Sequence, residues 1–182
     1  EANKNIAVVQ QIWDALLKGG ATRNALLINL GGGMVTDLGG FAAATYMRGI
    51  RYVNVPTTLL AMVDASSGGK TGFDYRGVKN LVGCFAQPEA TLVYLPFLDT
   101  LPVDEWLSGY AEMLKHGLLD SVSHWSKLLE LDVNDPKCSI SSELLAANMA
   151  VKERVVATDP KEKGERKLLN FGHTIGHAIE EV

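Results

Sequence analysis

LLINLGGGMVTDLGG, Leu26 to Gly40, decides the reading of this chain: an apolar strand runs into three consecutive glycines and then into a helical pattern. Glycines let backbone N–H groups approach an anion closely, and a helix that begins there turns its positive dipole end to the same spot. Against the dinucleotide pattern G-x-G-x-x-G, Gly31 and Gly33 fit, but Thr36 holds the third glycine position. The acidic residue, Asp37, follows at once instead of about 20 residues on. Two readings stay open at this point, a chance glycine turn and the phosphate turn of a different nucleotide-binding family.

Working outward, Ile6, Val9, Ile12, Trp13, Leu16 and Leu17 recur at helical spacing and Gly19–Gly20 stops them. Asp37 to Met47 reads as the helix after the glycines, and Tyr52 to Val55 as the next strand, ended by Pro56. This is a strand, helix, strand unit of parallel α/β type. Thr57 and Thr58 follow that strand, where side chains face a ligand crevice, although one of the pair serves equally well as the N-cap of a helix over Leu59 to Asp64. Ala65 to Asn80 reads as a polar, glycine-rich loop. Its GGKT resembles the end of a phosphate loop, but Asp64 stands where that loop needs glycine, so a nucleoside triphosphatase is excluded. Lys70, Lys79 and Asn80 on this loop either hold an anion or are simply solvated. Thr91 to Leu95 is a last strand-like run, and Pro96 to Pro102 a connector.

Beyond Pro102, Asp104–Leu119, Ser123–Leu131, Ser141–Thr158 and Phe171–Val182 read as helices, with the charged run Asp159 to Lys167 as a solvated loop. The expected fold is an α/β N-terminal part with a Rossmann-like parallel sheet, followed by an all-α C-terminal part. The boundary falls near 97–103, giving regions 1–100 and 101–182.

The 182 residues are 47% hydrophobic and 21% charged, an ordinary globular composition. A net charge of -4 provides no basic field for nucleic acid, and the longest apolar run, Leu59 to Val63, is too short to span a bilayer. Cys84 and Cys138 are far apart in no metal or redox spacing, which favours reduced thiols and a cytoplasmic protein. The N-terminus has no Met and no signal-type core, and reads as a cut from a longer chain.

Two groupings carry chemistry. Glu112, Lys115 and His116 lie at i, i+3 and i+4 and share one helix face; a surface ion pair between the first two is the plainer account. His173 and His177, in GHTIGH, are four apart, a spacing at which two imidazoles can meet one metal, with Asn170 placed to cap their helix.

The run from GGGMVTDLGG through VPTTLLAMVDASSGGKTGFD, with KNLVGCFAQP, FLDTLP, GYAEMLKHG and RKLLNFGHTIGHAIE in that order, resembles the 3-dehydroquinate synthases. The resemblance covers the whole chain. It implies an NAD-binding α/β region followed by a helical region that holds metal and substrate. Its cofactor contacts would be Glu1, Lys4, Gly32, Gly33, Asp37, Thr57, Thr58, Lys79 and Thr100. It gives Glu112 and His173 as ligands of zinc, or of cobalt in its place. Lys115, Lys152, His177, Asp64 and Asn80 would act in catalysis, and Lys70, Arg166 and Asn170 would bind substrate. Arg48 would reach across a homodimer to the partner's phosphate.

The implied reaction converts 3-deoxy-D-arabino-heptulosonate 7-phosphate to 3-dehydroquinate and phosphate, a step of the shikimate pathway to the aromatic amino acids. The resemblance places a third zinc ligand beyond Val182 and the first NAD-binding strands before Glu1. Alternatives are another NAD- and zinc-dependent sugar phosphate cyclase and an inactive truncated domain of the synthase.

Overall fold

A computed structural model describes residues 3–132, 140–160 and 162–172. Helix α1, Ile6–Lys18, starts on Asn5, whose side chain accepts from Ala7 N and Val8 N. Its apolar face packs against α2, Gly33–Thr45, in a cluster of Val9, Leu38, Ala42 and Phe73, and Trp13 Nε1 donates to Ala42 O.

Strands β1, Leu26–Gly31, and β2, Arg51–Pro56, pair in parallel from Leu26 opposite Arg51 to Gly31 opposite Pro56. The parallel α/β unit expected from the sequence is therefore present. Helix α2 begins four residues earlier than expected, because the glycine turn is itself the first turn. Gly32 is extended, its carbonyl accepts from Val35 N and Thr36 N, and Thr36 Oγ1 donates to Gly33 O. The helix lies close on β1 at Gly39, where a Cβ would stand 1.9 Å from Asn29 Oδ1. That amide is committed: Asn29 Nδ2 donates to Asn54 Oδ1 (3.0 Å), and Asn54 Nδ2 to Ser66 O (2.9 Å).

The expected loop over Ala65 to Asn80 needs correction. After a wide helical turn at Ala61–Ala65, the chain forms an antiparallel hairpin of β3, Lys70–Tyr75, and β4, Val78–Phe85. Arg76 and Gly77, both at positive φ, make its two-residue turn. Gly72 sits opposite Gly83, and a Cβ at Gly72 would come within 2.4 Å of Val82 O. Gly72, which read as loop, and Gly83 beyond it are thus what lets the two backbones lie so closely. The last parallel strand, β5, is shorter than expected, Ala90–Thr91, and a 3-10 turn at Leu95–Thr100 replaces the connector.

Helices α3, Val103–Asp120, α4, Val122–Leu129, and α5, Ser142–Thr158, match the expected helical part. Their core joins Trp106, Tyr110, Met113, Leu128 and Leu145 to Leu59, Met62 and Val63 from the segment after β2. The run read as a solvated loop is instead organised. The Asp159 carboxylate accepts from the backbone N–H of Lys163, Gly164 and Arg166, and a 3-10 turn at Glu165–Asn170 buries Arg166. Charge density alone hid this, since the acid caps its own loop. Of the helix expected at Phe171–Val182, only a turn at 171–172 falls within the described residues. Cys84 is a free thiol, and Cys138 lies outside the described residues. Among the described residues no helix is long and apolar enough to cross a membrane.

Candidate active site

The hairpin, the turn after β2, α3, α5 and the 3-10 turn surround an open cavity of about 1180 Å³. Its wall brings together Asp37, Asp64, Lys70, Lys79, Asn80, Lys115, Lys152, Arg166 and Asn170, all singled out in the sequence. Five cationic side chains on one concavity suit a ligand with more than one negative group.

Most of these cations are held in place. Lys152 Nζ bonds both the carboxylate (2.6 Å) and the carbonyl (2.5 Å) of Asp64, which ties α5 to the turn after β2. Burial acts to raise the Asp64 carboxyl, but Lys152 and, behind it, Lys115 outweigh that and hold it below the usual carboxylate range. Lys115 pairs with Glu112 and donates to Leu169 O at 2.5 Å. Both partners are nearly buried, at 9% and 13% exposure, so the simple surface pair is ruled out. Arg166 is 1% exposed; Nη1 donates to Pro160 O, Nη2 to Gly68 O, and the guanidinium lies 5.8 Å over the Phe85 ring. Gly68, at φ +85°, could carry no Cβ there without meeting Nη2 at 2.7 Å.

At the glycine turn, a Cβ on Gly32 would lie 3.1 Å from Thr58 Cγ2, and one on Gly33 would lie 2.9 Å from Ala65 Cβ. The turn at this helix N-terminus is packed too closely for side chains at either glycine. Thr58 Oγ1 accepts from Ala61 N, so Thr58 is the helix cap, while Thr57 N bonds Gly31 O. Lys4, only 7% exposed, donates to Asp37 Oδ2 and to Asn80 Oδ1, both at 2.6 Å. Burial raises the Asp37 carboxyl and Lys4 offsets part of that rise.

Arg48, at φ +70°, and Thr100 are exposed and do not line the cavity. Glu1, His173 and His177 lie outside the described residues.

Two further residues belong to the site. Asp64, Glu112 and His116 each bring a ligand atom within 4.8 Å of the others. His116 Nε2 is buried without a hydrogen-bond partner among the described residues, whereas Glu112 Oε1 is held by the Lys115 ammonium. The shared helix face of Glu112 and His116 was the signal for this. Glu162, hidden in the charged run, sits on the wall at φ +55° and accepts from Lys70 (2.5 Å) and Asn170 Nδ2 (2.6 Å). Asn170 therefore bonds this carboxylate with its amide.

Burial works to raise the Glu162 carboxyl, and the bonds from Lys70 and Asn170 more than offset it, leaving it below its ordinary range. The tether's stabilisation is thus complete above about pH 4.3 and is lost as pH falls below that. Glu162→Gln is expected to speed tryptic cleavage after Lys163 at neutral pH, read by mass spectrometry. Unchanged cleavage would show that the loop is held by Asp159 alone.

Residues 1–108 match the family model for the 3-dehydroquinate synthase N-terminal region, and residues 109–182 match that for the C-terminal region. The chain belongs to the 3-dehydroquinate synthase family. A 3-dehydroquinate synthase of Parabacteroides distasonis is 53% identical over 182 residues, all of this chain and 52% of the relative. The chain thus spans about half the length of the curated relatives it matches. Among solved structures, 2-epi-5-epi-valiolone synthase from Streptomyces hygroscopicus subsp. jinggangensis, with NAD+ and Zn2+ bound, superposes with a TM-score of 0.92 at 30% identity, over 99% of this chain and 51% of that one. A 2-deoxy-scyllo-inosose synthase with carbaglucose-6-phosphate, NAD+ and Co2+ superposes at 0.86 and 28% identity, over 100% and 50%.

Proposed function

We propose that the protein containing this chain is a 3-dehydroquinate synthase, an NAD- and metal-dependent carbon–oxygen lyase that turns 3-deoxy-D-arabino-heptulosonate 7-phosphate into 3-dehydroquinate and phosphate. The observation that carries the reading is the wall of Lys70, Lys115, Lys152 and Arg166 around one cavity, in a chain of this family. The substrate has a phosphate at one end and a carboxylate at the other, and the wall has cations for both. In this reading residues 1–100 form the NAD-binding region and 101–182 the metal- and substrate-binding region of a cytoplasmic homodimer.

Bound NAD would supply a reversible hydride acceptor and bound metal a Lewis acid at a substrate hydroxyl. Two features favour these groups: Gly32 and Gly33 stand at the N-terminus of α2, where a helix favours a pyrophosphate, and Asp64, Glu112 and His116 bring three metal-ligating atoms within 4.8 Å of one another. Gly32, Gly33, Asp37, Thr57, Thr58, Lys79, Thr100, Lys4 and Glu1 would hold the dinucleotide. Glu112 and His173 would hold zinc or cobalt. Lys70 and Asn80, with Arg48 from a second copy, would bind phosphate. Arg166, whose Nε has no hydrogen-bond partner among the described residues, would bind the carboxylate. Lys152, fixed by Asp64, and Lys115, fixed by Leu169 O, would keep their ammonium groups toward the reacting carbons. Asn170 would orient the substrate, and His177 would relay a proton.

The test is release of inorganic phosphate by the full-length protein from the heptulosonate phosphate. Release that requires NAD and a divalent metal is expected. No release, or turnover only of sugar phosphates that lack a carboxylate, would overturn the assignment.

A further inference from the structure

We propose that Glu162 is an internal stand-in for the ligand's phosphate: its carboxylate occupies an oxyanion site between Lys70 and Asn170, and a phosphate takes that site only by displacing it. The inference rests on the reading that Lys70 faces the substrate phosphate, and adds to it a competitor supplied by the chain itself.

The two donors already hold one oxyanion. Lys70 Nζ, from β3, bonds Glu162 Oε2 at 2.5 Å, and Asn170 Nδ2, from the 3-10 turn, donates to Glu162 Oε1 at 2.6 Å. Each donor has an oxygen to itself, which is also how an ammonium and an amide would share two oxygens of a phosphate. Burial works to raise the Glu162 carboxyl, yet Lys70 and Asn170 hold it below its ordinary range, so it is ionised at neutral pH. Carboxylate and phosphate therefore exclude each other from the site, since two anions on the same two donors repel at close range.

The ion pairs on the cavity wall are not equally exchangeable. Lys152 and Lys115 are 6% and 9% exposed in their pairs with Asp64 and Glu112, whereas the Lys70 side chain is 50% exposed beside Glu162. A half-solvated pair is weak, and an incoming anion can compete for it. The chain around Glu162 has a second hold: the Asp159 carboxylate accepts from the N–H groups of Lys163, Gly164 and Arg166. The Glu162 side chain can thus let go while the segment next to it stays capped. When a phosphate leaves, the carboxylate returns to Lys70 and Asn170, which disfavours recapture of the departing anion.

The test is binding of inorganic phosphate to the full-length protein by titration calorimetry, with no sugar substrate present. Glu162→Gln is expected to bind phosphate about five- to tenfold more tightly than the wild type, because its neutral amide can accept from only one of the two donors. Glu162→Asp keeps the charge but is one methylene short of Lys70, and should shift the affinity in the same direction; it carries the test should Glu162→Gln fail to fold. Glu165→Gln, which removes an exposed charge three residues on, should leave the affinity within about twofold. Unchanged or weaker phosphate binding in Glu162→Gln, or an equal gain in Glu165→Gln, would overturn the stand-in. Lys70→Met should weaken phosphate binding; if it does not, the reading of Lys70 as the phosphate ligand falls with the proposal.

Discussion

Lys152→Met should destabilise the protein by about 2–3 kcal/mol and, in the proposed synthase, lower phosphate release about 10²–10³-fold. The stability loss is at the lower end for breaking a buried pair, because the Asp64 side chain is still 31% exposed. The ammonium that is lost bonds Asp64 twice, once at the carboxylate and once at the backbone, so α5 and the turn after β2 lose their shared anchor. Adding Asp64→Asn to Lys152→Met removes the unpaired charge and should recover most of the stability, measured by urea denaturation. Activity should not return, since the cation facing the substrate is still missing. Recovery of both would assign Lys152 to the fold alone.

Gly39→Ala should cost about 3 kcal/mol, an overpacking effect at the upper end of its usual range. The added Cβ would stand 1.9 Å from Asn29 Oδ1 and 2.5 Å from Asn29 Cγ, in a side chain whose amide is bonded to Asn54. Either α2 lifts from β1 or the Asn29–Asn54–Ser66 chain breaks, leaving buried amide groups unpaired. Both routes disturb the glycine turn at the start of the same helix, so the NAD binding proposed for that turn should weaken along with stability. A denaturation midpoint within error of the wild type would show that Asn29 has an alternative rotamer with its bonds intact.

The parts of the fold that follow from periodicity were legible in the sequence. Ile6 to Leu17, Leu26 to Leu30 and Ser141 to Thr158 each carry one clear period or a bounded apolar run, and each forms the element expected. The β3–β4 hairpin was not legible, because strand pairing there depends on Gly72 facing Gly83, a property of two residues eleven apart and not of either. The onset of α2 was misplaced because glycines count against a helix in composition while here they build its first turn. For the site, Lys70, Lys115 and Arg166, which lie in the quoted motifs, and Lys152, which only the family resemblance supplied, do meet on one wall. Glu162 was missed because a charged run normally marks solvent, and only the Asp159 cap, folding that run inward, brings its carboxylate to Lys70. His116 was visible beside Glu112 on one helix face; what the sequence could not show was Asn148, 32 residues on, setting the ring.

One ammonium, that of Lys4, joins Asp37 beside the glycine turn to Asn80 on the hairpin. In the proposed enzyme the first of these faces the dinucleotide and the second faces the substrate phosphate. A ligand that changes the hold of Lys4 on one side changes it on the other, so the two binding free energies cannot be independent. Thermodynamic reciprocity then requires that whatever factor the cofactor imposes on substrate affinity, the substrate imposes on cofactor affinity. A residue near the start of this chain would then make the two affinities a single shared property of the fold.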